Sequence, residues 1–510
     1  MSHRTTDMIF LGTQRRCRIR ATTRGAAALV AFVVFVVLWV LRSGVAGAAP
    51  LSSSRVGGLN LSSPTARMVT GIYWNPAALG LLKGTHVFLD GTLRMTMDKI
   101  KRRSIDPASG LPASGSGSES FPEEKHLFLT PDCFGGVVTD LGSSTVVIGV
   151  GVYTPFAEMD RFDGKSVPGA GASLRYHRVR SDWFNLFVSP VVAARLHRRF
   201  FIGVGLSYVR SVVKMSYYRD RTLREVYKPT ASSYVVEDPS RGELVEVNAT
   251  DNSFAFKGGI LVNLPAHVRV GVTYRSMAMG IGRTNIEATG SAKVTRWDEG
   301  QGWHSIEGRA KLFYKIPDSV SVGVSWQPQT RWRLDLTMEW LHFSEQKDLH
   351  FKLSGNEFRS ANMGNWDVNF RRYRGFQDVW RVQVAAAYKV LHNLTLGGAF
   401  LYESTAVPTE WVNAAAVDNH KADILVTVEW YPHKSVSLDF GYSLTVMPPV
   451  DVGSSGFDPS LATSCVANKV DIVWGDDCNA VSAGKGLPSA SGRYWLMVHK
   501  VGFSVSYHYR

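Results

Sequence analysis

Hydrophobic and polar residues alternate one by one along many segments of the chain. From 331 to 340 every second position is apolar, namely Trp332, Leu334, Leu336, Met338 and Trp340, and the positions between them are polar. Residues 435–446 continue the same alternation over twelve positions. Because the side chains of a β-strand point alternately to its two faces, this pattern predicts strands with one apolar face and one polar face.

The length of these segments separates a membrane barrel from a soluble sandwich, whose strands would alternate in the same way. Many segments run ten to twenty residues, whereas strands in soluble proteins are mostly about five or six residues long. Trp332 and Trp340 are eight residues apart, which on a strand tilted by about 40° spans roughly 20 Å, close to the ~25 Å apolar band of an outer-membrane barrel. The pattern therefore predicts transmembrane strands with one face toward lipid and the other toward a lumen.

About fourteen such segments follow one another, and short turns alternate with long polar loops between them. Short periplasmic turns and long extracellular loops are typical of bacterial barrels, and an even strand number returns both chain ends to the periplasm. The sequence therefore predicts an all-β fold, a transmembrane antiparallel β-barrel over residues 84–510. The longest predicted loops are 99–125, 346–378 and 448–492. The predicted strands lie near 84–98, 126–139, 145–156, 182–196, 200–219, 247–264, 267–288, 306–327, 331–344, 379–390, 393–404, 422–431, 435–446 and 493–509.

Residues 1–49 have the layout of a secretory signal peptide. A basic stretch that includes Arg15 and Arg16 precedes an uninterrupted apolar run from Ala26 to Leu41, and small residues follow at 46–49. This order is typical of a cleaved export signal. The alternative is an N-terminal membrane anchor, because the apolar run approaches the roughly 17 to 25 residues that a spanning helix needs.

Residues 50–83 precede the first strand and lack the alternation, yet they are too apolar for a free tail. Such a segment needs a place to be buried, and the lumen of a barrel is the available one. We therefore expect residues 50–83 to form an N-terminal plug, or hatch, inside the barrel.

The net charge of the chain indicates which partners it can bind. The formal charge is +14, and the signal segment carries seven Arg and one Asp, so about +8 remains on the mature chain. Basic charge in a secreted chain can lie near anionic lipid headgroups or attract anionic ligands by its field. We expect contact with outer-membrane lipids and no nucleic-acid partner.

Three cysteines follow the signal segment. Cys465 and Cys478 lie 13 residues apart in a stretch rich in Gly, Ser and Asp, so in an oxidising compartment we expect a disulfide between them that closes a surface loop. Two unpaired thiols are the alternative. Cys133 is left over, and we expect it to be a buried free thiol.

Several sequence blocks resemble the FadL/TodX family of outer-membrane transport proteins. Residues 71–80 read GIYWNPAALG, which resembles the family's plug segment, where asparagine, proline and alanine follow a glycine-rich stretch. Later blocks resemble the family's hairpins and occur in its order: FNLFVSPVVAARLHRRFFIGVGLSY from Phe184, VRVGVTYRS from Val268, KIPDSVSVGVSWQPQTRWRLDLTMEW from Lys315 and DVWRVQVAAAYKVLHNLTLGGAFLYESTAVP from Asp378.

The resemblance implies a fourteen-stranded barrel whose lumen is plugged by the N-terminal domain. It also implies passive uptake of hydrophobic small molecules, such as long-chain fatty acids or aromatic hydrocarbons. In that family the ligand is bound in an apolar pocket in the lumen and leaves sideways through a gap beside a kinked strand.

Arg275, Arg333 and Arg381 are candidate ligand-binding residues because the alternation places their side chains in the lumen. A lumenal guanidinium can bind a fatty-acid carboxylate through two parallel hydrogen bonds. The alternative is a structural ion-pair network inside the barrel, with partners such as Asp335, Glu339 and Asp439.

Asn75, Pro76 and Ala77 are candidate plug and gate residues. Proline fixes the backbone and an asparagine side chain can bond to backbone nearby, so the three could form a fixed turn of the plug. An ordinary turn or helix cap on the plug surface is the alternative.

Gly149, Gly151 and Pro155 are candidates for an opening in the barrel wall. Glycine weakens a strand and proline removes a hydrogen-bond donor from the ladder, so the third strand could kink here. The alternative is that the glycines leave room for the plug.

Two further classes of function compete with transport. An outer-membrane adhesion or surface-assembly barrel would need no plug, whereas this chain has a plug-like segment. An enzyme would need a nucleophile and a base close together, but the histidines are scattered over turns, loops and strands. We therefore expect no enzyme activity, no cofactor and no metal site, and a monomer that the barrel-assembly machinery inserts.

Overall fold

The computed structural model describes residues 55–103, 121–155, 158–161, 174–220, 242–298, 302–359, 369–453, 455–457 and 490–509. All of these belong to one compact unit, Ala46–Arg510. The predicted signal segment, residues 50–54, and Cys465 with Cys478 lie outside the described residues. The signal and the disulfide therefore stay predictions. None of the described helices is long and apolar enough to cross a membrane.

The described residues form nineteen β-strands and a few short helices. The helices are α1 (Gly71–Trp74) and α2 (Asn356–Arg359), and 3₁₀ turns cover Pro76–Leu81, Phe343–Glu345 and Thr409–Trp411. The strands are β1 (Thr85–Arg102), β2 (Glu124–Thr139), β3 (Val146–Tyr153), β4 (Glu158–Arg161), β5 (Arg180–His197), β6 (Phe200–Asp220), β7 (Gly242–Asn263), β8 (Val268–Arg275), β9 (Ile286–Asp298), β10 (Gly302–Tyr314), β11 (Ser319–Gln329), β12 (Trp332–Leu341), β13 (Asp348–Ser354), β14 (Asn369–Tyr373), β15 (Val379–Leu391), β16 (Leu394–Glu403), β17 (Lys421–His433), β18 (Val436–Val452) and β19 (Gly492–Tyr509).

The sheet closes on itself because β1 pairs antiparallel with both β2 and β19. Five wall strands are each interrupted once, which gives the pairs β3/β4, β8/β9, β10/β11, β12/β13 and β14/β15. Counted as one strand per pair, the wall has fourteen strands. The predicted antiparallel barrel of about fourteen strands is therefore confirmed.

The predicted alternation is present in the burial of the side chains. On β12, Trp332 is 42% exposed on the outer face, whereas Asp335 is 5% and Glu339 is 3% exposed on the lumenal face. On β18, Phe440 and Tyr442 point outward while Ser443 is fully buried. The period of two thus separates a continuous apolar outer surface from a polar lumen.

Several wall strands break at similar positions along the barrel. β7 pairs with β8 through Lys257–Asn263 but with β9 through Leu244–Thr250. Beyond the breaks, β9, β10, β13 and β14 pair with one another and continue the same sheet toward the long-loop end. The predicted strands 267–288 and 306–327 are therefore each split, and the predicted loop 346–378 contains β13 and β14. Pro317, which has no N–H for the ladder, lies in one break.

Cys133 is exposed on the outer face of β2, so the expectation of a buried thiol is wrong. Its neighbours on that face, Leu127 and Leu129, are also exposed. The alternation of β2 decides this, because Thr130 and Phe134 occupy the lumenal face. A small apolar side chain on the outer face of a barrel is buried by lipid rather than by protein.

Residues 55–83 lie against the lumenal side of the wall. Ile72 and Leu79 are fully buried and belong to one apolar cluster with the wall residues Phe88, Phe134 and Val191. Nothing in the strand ladder requires this segment, since it contributes no strand to the sheet. We refer to residues 55–83 below as the N-terminal segment.

Candidate functional site

The turn at Asn75 joins the N-terminal segment to the barrel wall. The Asn75 side chain is fully buried, and its Nδ2 donates to the carbonyls of Pro64 (2.8 Å) and of Ile260 on β7 (3.1 Å). Its Oδ1 accepts from the backbone N–H of Ala77 at 3.0 Å, which begins the 3₁₀ turn after Pro76. Asn75 is thus both a cap and a link to the wall, and the gating role of Asn75, Pro76 and Ala77 stays a prediction.

Glycines on the wall make room for the N-terminal segment. A Cβ atom on Gly203 would lie 2.4 Å from the backbone of Ala77, and one on Gly259 would lie 2.1 Å from Asn75 Oδ1. Atoms at such distances overlap, so any larger residue would push the segment away from the wall. The same close approach occurs on other strands at Gly136, Gly151, Gly271, Gly323, Gly397, Gly441 and Gly502.

Arg195 of β5 holds the end of the N-terminal segment. Its guanidinium donates to the carbonyl of Gly80 (2.7 Å), to that of Leu82 and to that of Ser143 (2.9 Å). Asp140 lies beside it and accepts from the N–H of Gly84 at 3.0 Å. Burial by itself would raise the pKa of Asp140, but the backbone N–H groups that it accepts from, together with Arg195, lower it below its usual range.

An inner cavity lies between the N-terminal segment and the wall. Aromatic and aliphatic side chains line most of it, including Tyr73, Tyr153, Phe187, Ala255 and Ile316. Burial raises the pKa of Tyr73 to about 12, so its hydroxyl stays neutral. Arg275 and Lys257 also line this cavity.

Arg275 and Arg381 meet on a shared carboxylate. Arg275 forms an ion pair with Glu339, and its guanidinium also donates to Ser319 and Ser321, each at 3.0 Å. Arg381 donates to the other oxygen of Glu339 at 3.0 Å and to Glu403 at 2.6 Å. Lys421 continues the series, 3.1 Å from Glu403 and paired with Asp418.

This arrangement supports the structural interpretation of the two arginines while leaving one donor for a ligand. Within the described part of the chain, Nη1 of Arg275 is buried and has no hydrogen-bond partner. A buried N–H group without an acceptor is unfavourable, so an oxygen atom in the inner cavity would be stabilised there.

Arg333 lies elsewhere. Its guanidinium contacts Asp335 at 2.8 Å and the carbonyl of Leu61 at 3.2 Å, so it touches the N-terminal segment and does not line the inner cavity. Glu339, one of the partners expected from the sequence, joins Arg275 to Arg381. Asp335 pairs with Arg333 instead.

Lys257 was not among the candidates from the sequence. Its Nζ donates to the carbonyl of Ile72 (2.8 Å) and to the Tyr153 hydroxyl (2.5 Å), so it links the N-terminal segment to β3. The alternation along β7 predicts its position: Lys257 follows the outward-facing Phe256 and therefore faces the lumen.

The wall is incompletely paired next to the inner cavity. The ladder between β2 and β3 runs from Thr139 only as far as the pair of Phe134 with Tyr153. β2 itself continues to Glu124, and no described strand pairs with that part of it on the β3 side. Tyr153 and Pro155, at the end of β3, both line the inner cavity.

The two candidate glycines of β3 differ in their surroundings. A Cβ atom on Gly151 would lie 2.9 Å from the Ile72 side chain, whereas one on Gly149 would meet Val138 and the carbonyl of Val137. Gly151 therefore makes room for the N-terminal segment, and Gly149 makes room for the neighbouring strands. Both residues still pair with β2 and β5.

A second, outer cavity lies toward the long-loop end. Apolar side chains such as Met215, Leu349 and Phe376 share its lining with four arginines, Arg178, Arg180, Arg372 and Arg374. The described residues that line this cavity include no Asp or Glu, although Arg180 forms an ion pair with the nearby Asp182. Its lining is therefore both apolar and rich in arginine.

No group of three or more His, Cys, Asp or Glu in the described ranges is arranged to hold a metal ion. No curated protein matches this chain.

Solved structures share its fold at low sequence identity. The crystal structure of a FadL homologue from Pseudomonas aeruginosa is 15% identical, with a TM-score of 0.68 over 91% of this chain and 98% of that one. The toluene transporter TodX of Pseudomonas putida is 11% identical, with a TM-score of 0.59 over 91% and 98%. The toluene transporter TbuX of Ralstonia pickettii is 14% identical, with a TM-score of 0.55 over 91% and 99%.

A family model for outer membrane protein transport proteins (OMPP1/FadL/TodX) matches residues 59–466, which is most of the chain. The match includes the turn at Asn75, the inner cavity and both parts of the interrupted strands. This agreement confirms the resemblance noted in the sequence. The chain belongs to the OMPP1/FadL/TodX family of outer membrane transport proteins, and it forms a β-barrel in the outer membrane.

Proposed function

We propose that this protein is a passive channel for the uptake of long-chain fatty acids or similar hydrophobic molecules, which leave the lumen sideways through the wall. The observation that carries the proposal is the position of the inner cavity. It lies between the N-terminal segment and the end of β3, where the ladder with β2 stops at Tyr153. A bound molecule there lies beside the end of this ladder, which we propose as the gap through which it leaves the wall.

A lateral exit suits an apolar ligand because apolar surface is more favourable in hydrocarbon than in water. Phe134, Tyr153 and Phe187 form a stack beside the gap, with ring centroids 5.6 Å apart in each pair. An apolar molecule that passes from the inner cavity along these rings reaches the bilayer without crossing water.

The N-terminal segment closes the way to the periplasm in this proposal. Fourteen strands enclose more space than side chains alone can fill, since about eight strands is the limit for that. The wall glycines and Arg195 hold the segment in place, so water and ions do not pass while an apolar ligand leaves sideways. The ladder closes within one chain, which supports a monomer that the barrel-assembly machinery inserts.

The cations of the two cavities favour a ligand that has an anionic group. Arg275 offers a free N–H in the inner cavity, and four arginines line the outer cavity. A carboxylate gains charge-assisted hydrogen bonds from such groups, whereas a neutral hydrocarbon such as toluene does not. We therefore propose an amphiphile with a carboxylate as the preferred ligand.

Filling the inner cavity tests the site. Ala255 lines it and is buried, so Ala255→Trp should abolish most uptake of a long-chain fatty acid by cells that depend on this protein. Val204→Trp is the matched control, because Val204 is exposed on the outer face of the neighbouring strand. Both variants must show the heat-dependent gel shift of a folded barrel. Normal uptake through a folded Ala255→Trp barrel would contradict the proposal and favour an adhesion or surface-assembly role.

The preference for an anionic ligand has a separate test. Arg275→Gln should weaken binding of a fatty acid more than binding of the corresponding uncharged alcohol. Equal weakening of both would mean that Arg275 acts on the structure and not on the ligand's charge.

A further inference from the structure

The short turns at one end of the barrel carry an unusual concentration of basic residues. The exposed residues Arg198, Arg199, Arg331, Lys389 and Lys434 lie in or beside four of these turns. His197, His267, His392 and His433 are exposed in the same turns or in the one at Leu264–His267. We call these nine residues the periplasmic rim, because short turns of such barrels face the periplasm.

The turns of the periplasmic rim are joined side to side. The backbone N–H of Asn263 donates to the carbonyl of Arg199 (2.8 Å), and that of Gln327 donates to the carbonyl of His267 (3.2 Å). Lys389 donates from its backbone N–H to the carbonyl of Arg331 at 2.9 Å. Tyr431 is linked in the same way to Asn393 at 2.9 Å. The basic residues therefore follow one continuous arc of the barrel's edge and are not scattered.

Aromatic side chains place this arc at the depth of lipid headgroups. Phe200, Trp332 and Trp430 are exposed on the outer face immediately above the turns, and the rings of Trp332 and Tyr388 lie 4.6 Å apart. Tryptophan and tyrosine collect at the membrane–water interface. Arg199 and Arg331 directly precede two of these aromatics in the chain, so their guanidinium groups lie where lipid phosphates are.

Negative charge is nearly absent from this end. The six short turns are 140–145, 198–199, 264–267, 330–331, 392–393 and 434–435. Their one Asp or Glu residue is Asp140, which accepts a hydrogen bond from Gly84 and pairs with Arg195 at the end of the N-terminal segment. An arc of cations at headgroup depth with so little compensating charge attracts anions from the membrane surface.

We infer that the periplasmic rim binds anionic phospholipid headgroups of the inner leaflet of the outer membrane. The long stems of Lys and Arg can lie along the apolar belt while their charges reach the phosphates. The inference does not depend on what the lumen transports, because none of the rim residues lines either cavity.

Lipid association measured on the full chain tests this inference. The protein is reconstituted in phosphatidylcholine bilayers that contain a small amount of spin-labelled phosphatidylglycerol or spin-labelled phosphatidylcholine, and the motionally restricted fraction of each label is compared. Because each Lys or Arg near the surface contributes roughly fivefold in affinity to an anionic membrane, phosphatidylglycerol should be clearly preferred at low salt. The preference should decline in 1 M salt, where the Debye length is about 3 Å.

Two charge variants decide whether the rim is responsible. One carries Arg198→Gln, Arg199→Gln, Arg331→Gln, Lys389→Gln and Lys434→Gln. The matched control removes five cations near the opposite end, with Lys101→Gln, Lys125→Gln, Lys293→Gln, Lys311→Gln and Lys352→Gln. The rim variant should lose the preference for phosphatidylglycerol, and the control should keep it.

Three results would overturn the inference: no lipid preference in the unaltered protein, a preference that survives in the rim variant, or an equal loss in both variants. If the rim variant with five substitutions does not show the heat-dependent gel shift of a folded barrel, the double variant Arg198→Gln with Arg199→Gln replaces it. This double variant should reduce the preference for phosphatidylglycerol measurably.

Discussion

The guanidinium of Arg275 on β8 lies 4.4 Å from the centre of the Tyr73 ring on α1. A wall strand and the N-terminal segment therefore meet through a cation and an aromatic face, an attraction that strengthens where water is excluded. Glu339 holds the same guanidinium from the other side. The ion pair between Arg275 and Glu339 thus positions the guanidinium that contacts Tyr73 of the N-terminal segment.

Removal of Arg275 should destabilise the barrel because it leaves Glu339 with less compensating charge. We expect Arg275→Gln to lower the free energy of unfolding by about 3 kcal/mol, the magnitude typical of breaking a buried ion pair. The double variant Arg275→Gln with Glu339→Gln should recover part of this loss, since it no longer buries an undercompensated carboxylate. Urea unfolding in lipid vesicles measures both, with the exposed Arg493→Gln as control. The single variant Glu339→Gln completes the comparison. If the double variant loses as much stability as the two single variants lose in sum, the two residues are not coupled.

The glycines that contact the N-terminal segment offer a test of the proposal that this segment closes the lumen. Gly259→Ala would place a methyl group 2.1 Å from Asn75 Oδ1, whereas Gly258→Ala meets nothing within 4 Å. Gly259→Ala should therefore displace the segment and raise the ion conductance in planar bilayers, and Gly258→Ala should not. Deletion of residues 50–83 should raise the conductance further in a barrel that still assembles. Equal conductance of all these proteins would mean that the segment does not close the lumen.

Asp140 contacts Gly84 and Arg195 at the end of the N-terminal segment. These contacts should make the proposed closure of the lumen sensitive to acid. The folded state lowers the pKa of Asp140, so its contribution to stability is present above the unfolded value of about 3.9 and is lost as the pH falls through the lower folded value. Conductance should therefore stay constant from pH 7 to the unfolded value of about 3.9 and increase only below it. Asp140→Asn should show a raised conductance already at neutral pH and a smaller acid response. An Asp140→Asn conductance equal to that of the wild type at neutral pH would exclude this role.

The outward position of Cys133 predicts contact with lipid acyl chains. In a chain with Cys465→Ser and Cys478→Ser, an apolar fluorophore on Cys133 should be quenched by brominated acyl chains. Thr130→Cys, in a Cys133→Ser background, places the same label on the lumenal face of β2, where Thr130 is buried, and should be quenched far less. Similar quenching at both positions would contradict the two-faced strand.

Much of the fold follows from local pattern. The alternation in 331–340 assigned each of these side chains to its face, and the structure exposes Trp332 and buries Glu339 as expected. The break between β10 and β11 was not predicted, because even-numbered positions stay mostly apolar through both strands although Leu312 is buried and Val322 is exposed. Periodicity shows that two sets of side chains alternate but not where a strand changes partner.

The sequence by itself determined the barrel, its approximate strand number, the lipid and lumenal faces, and the family, because the strand period of two and the short motifs are local properties. Only the tertiary structure decided that Arg275, Glu339 and Arg381 share one network and that Arg333 stands apart. It also decided that Gly203 and Gly259 face the turn at Asn75. These contacts join residues far apart in the chain, and they depend on how the sheet closes and on the register between strands, which no single segment encodes.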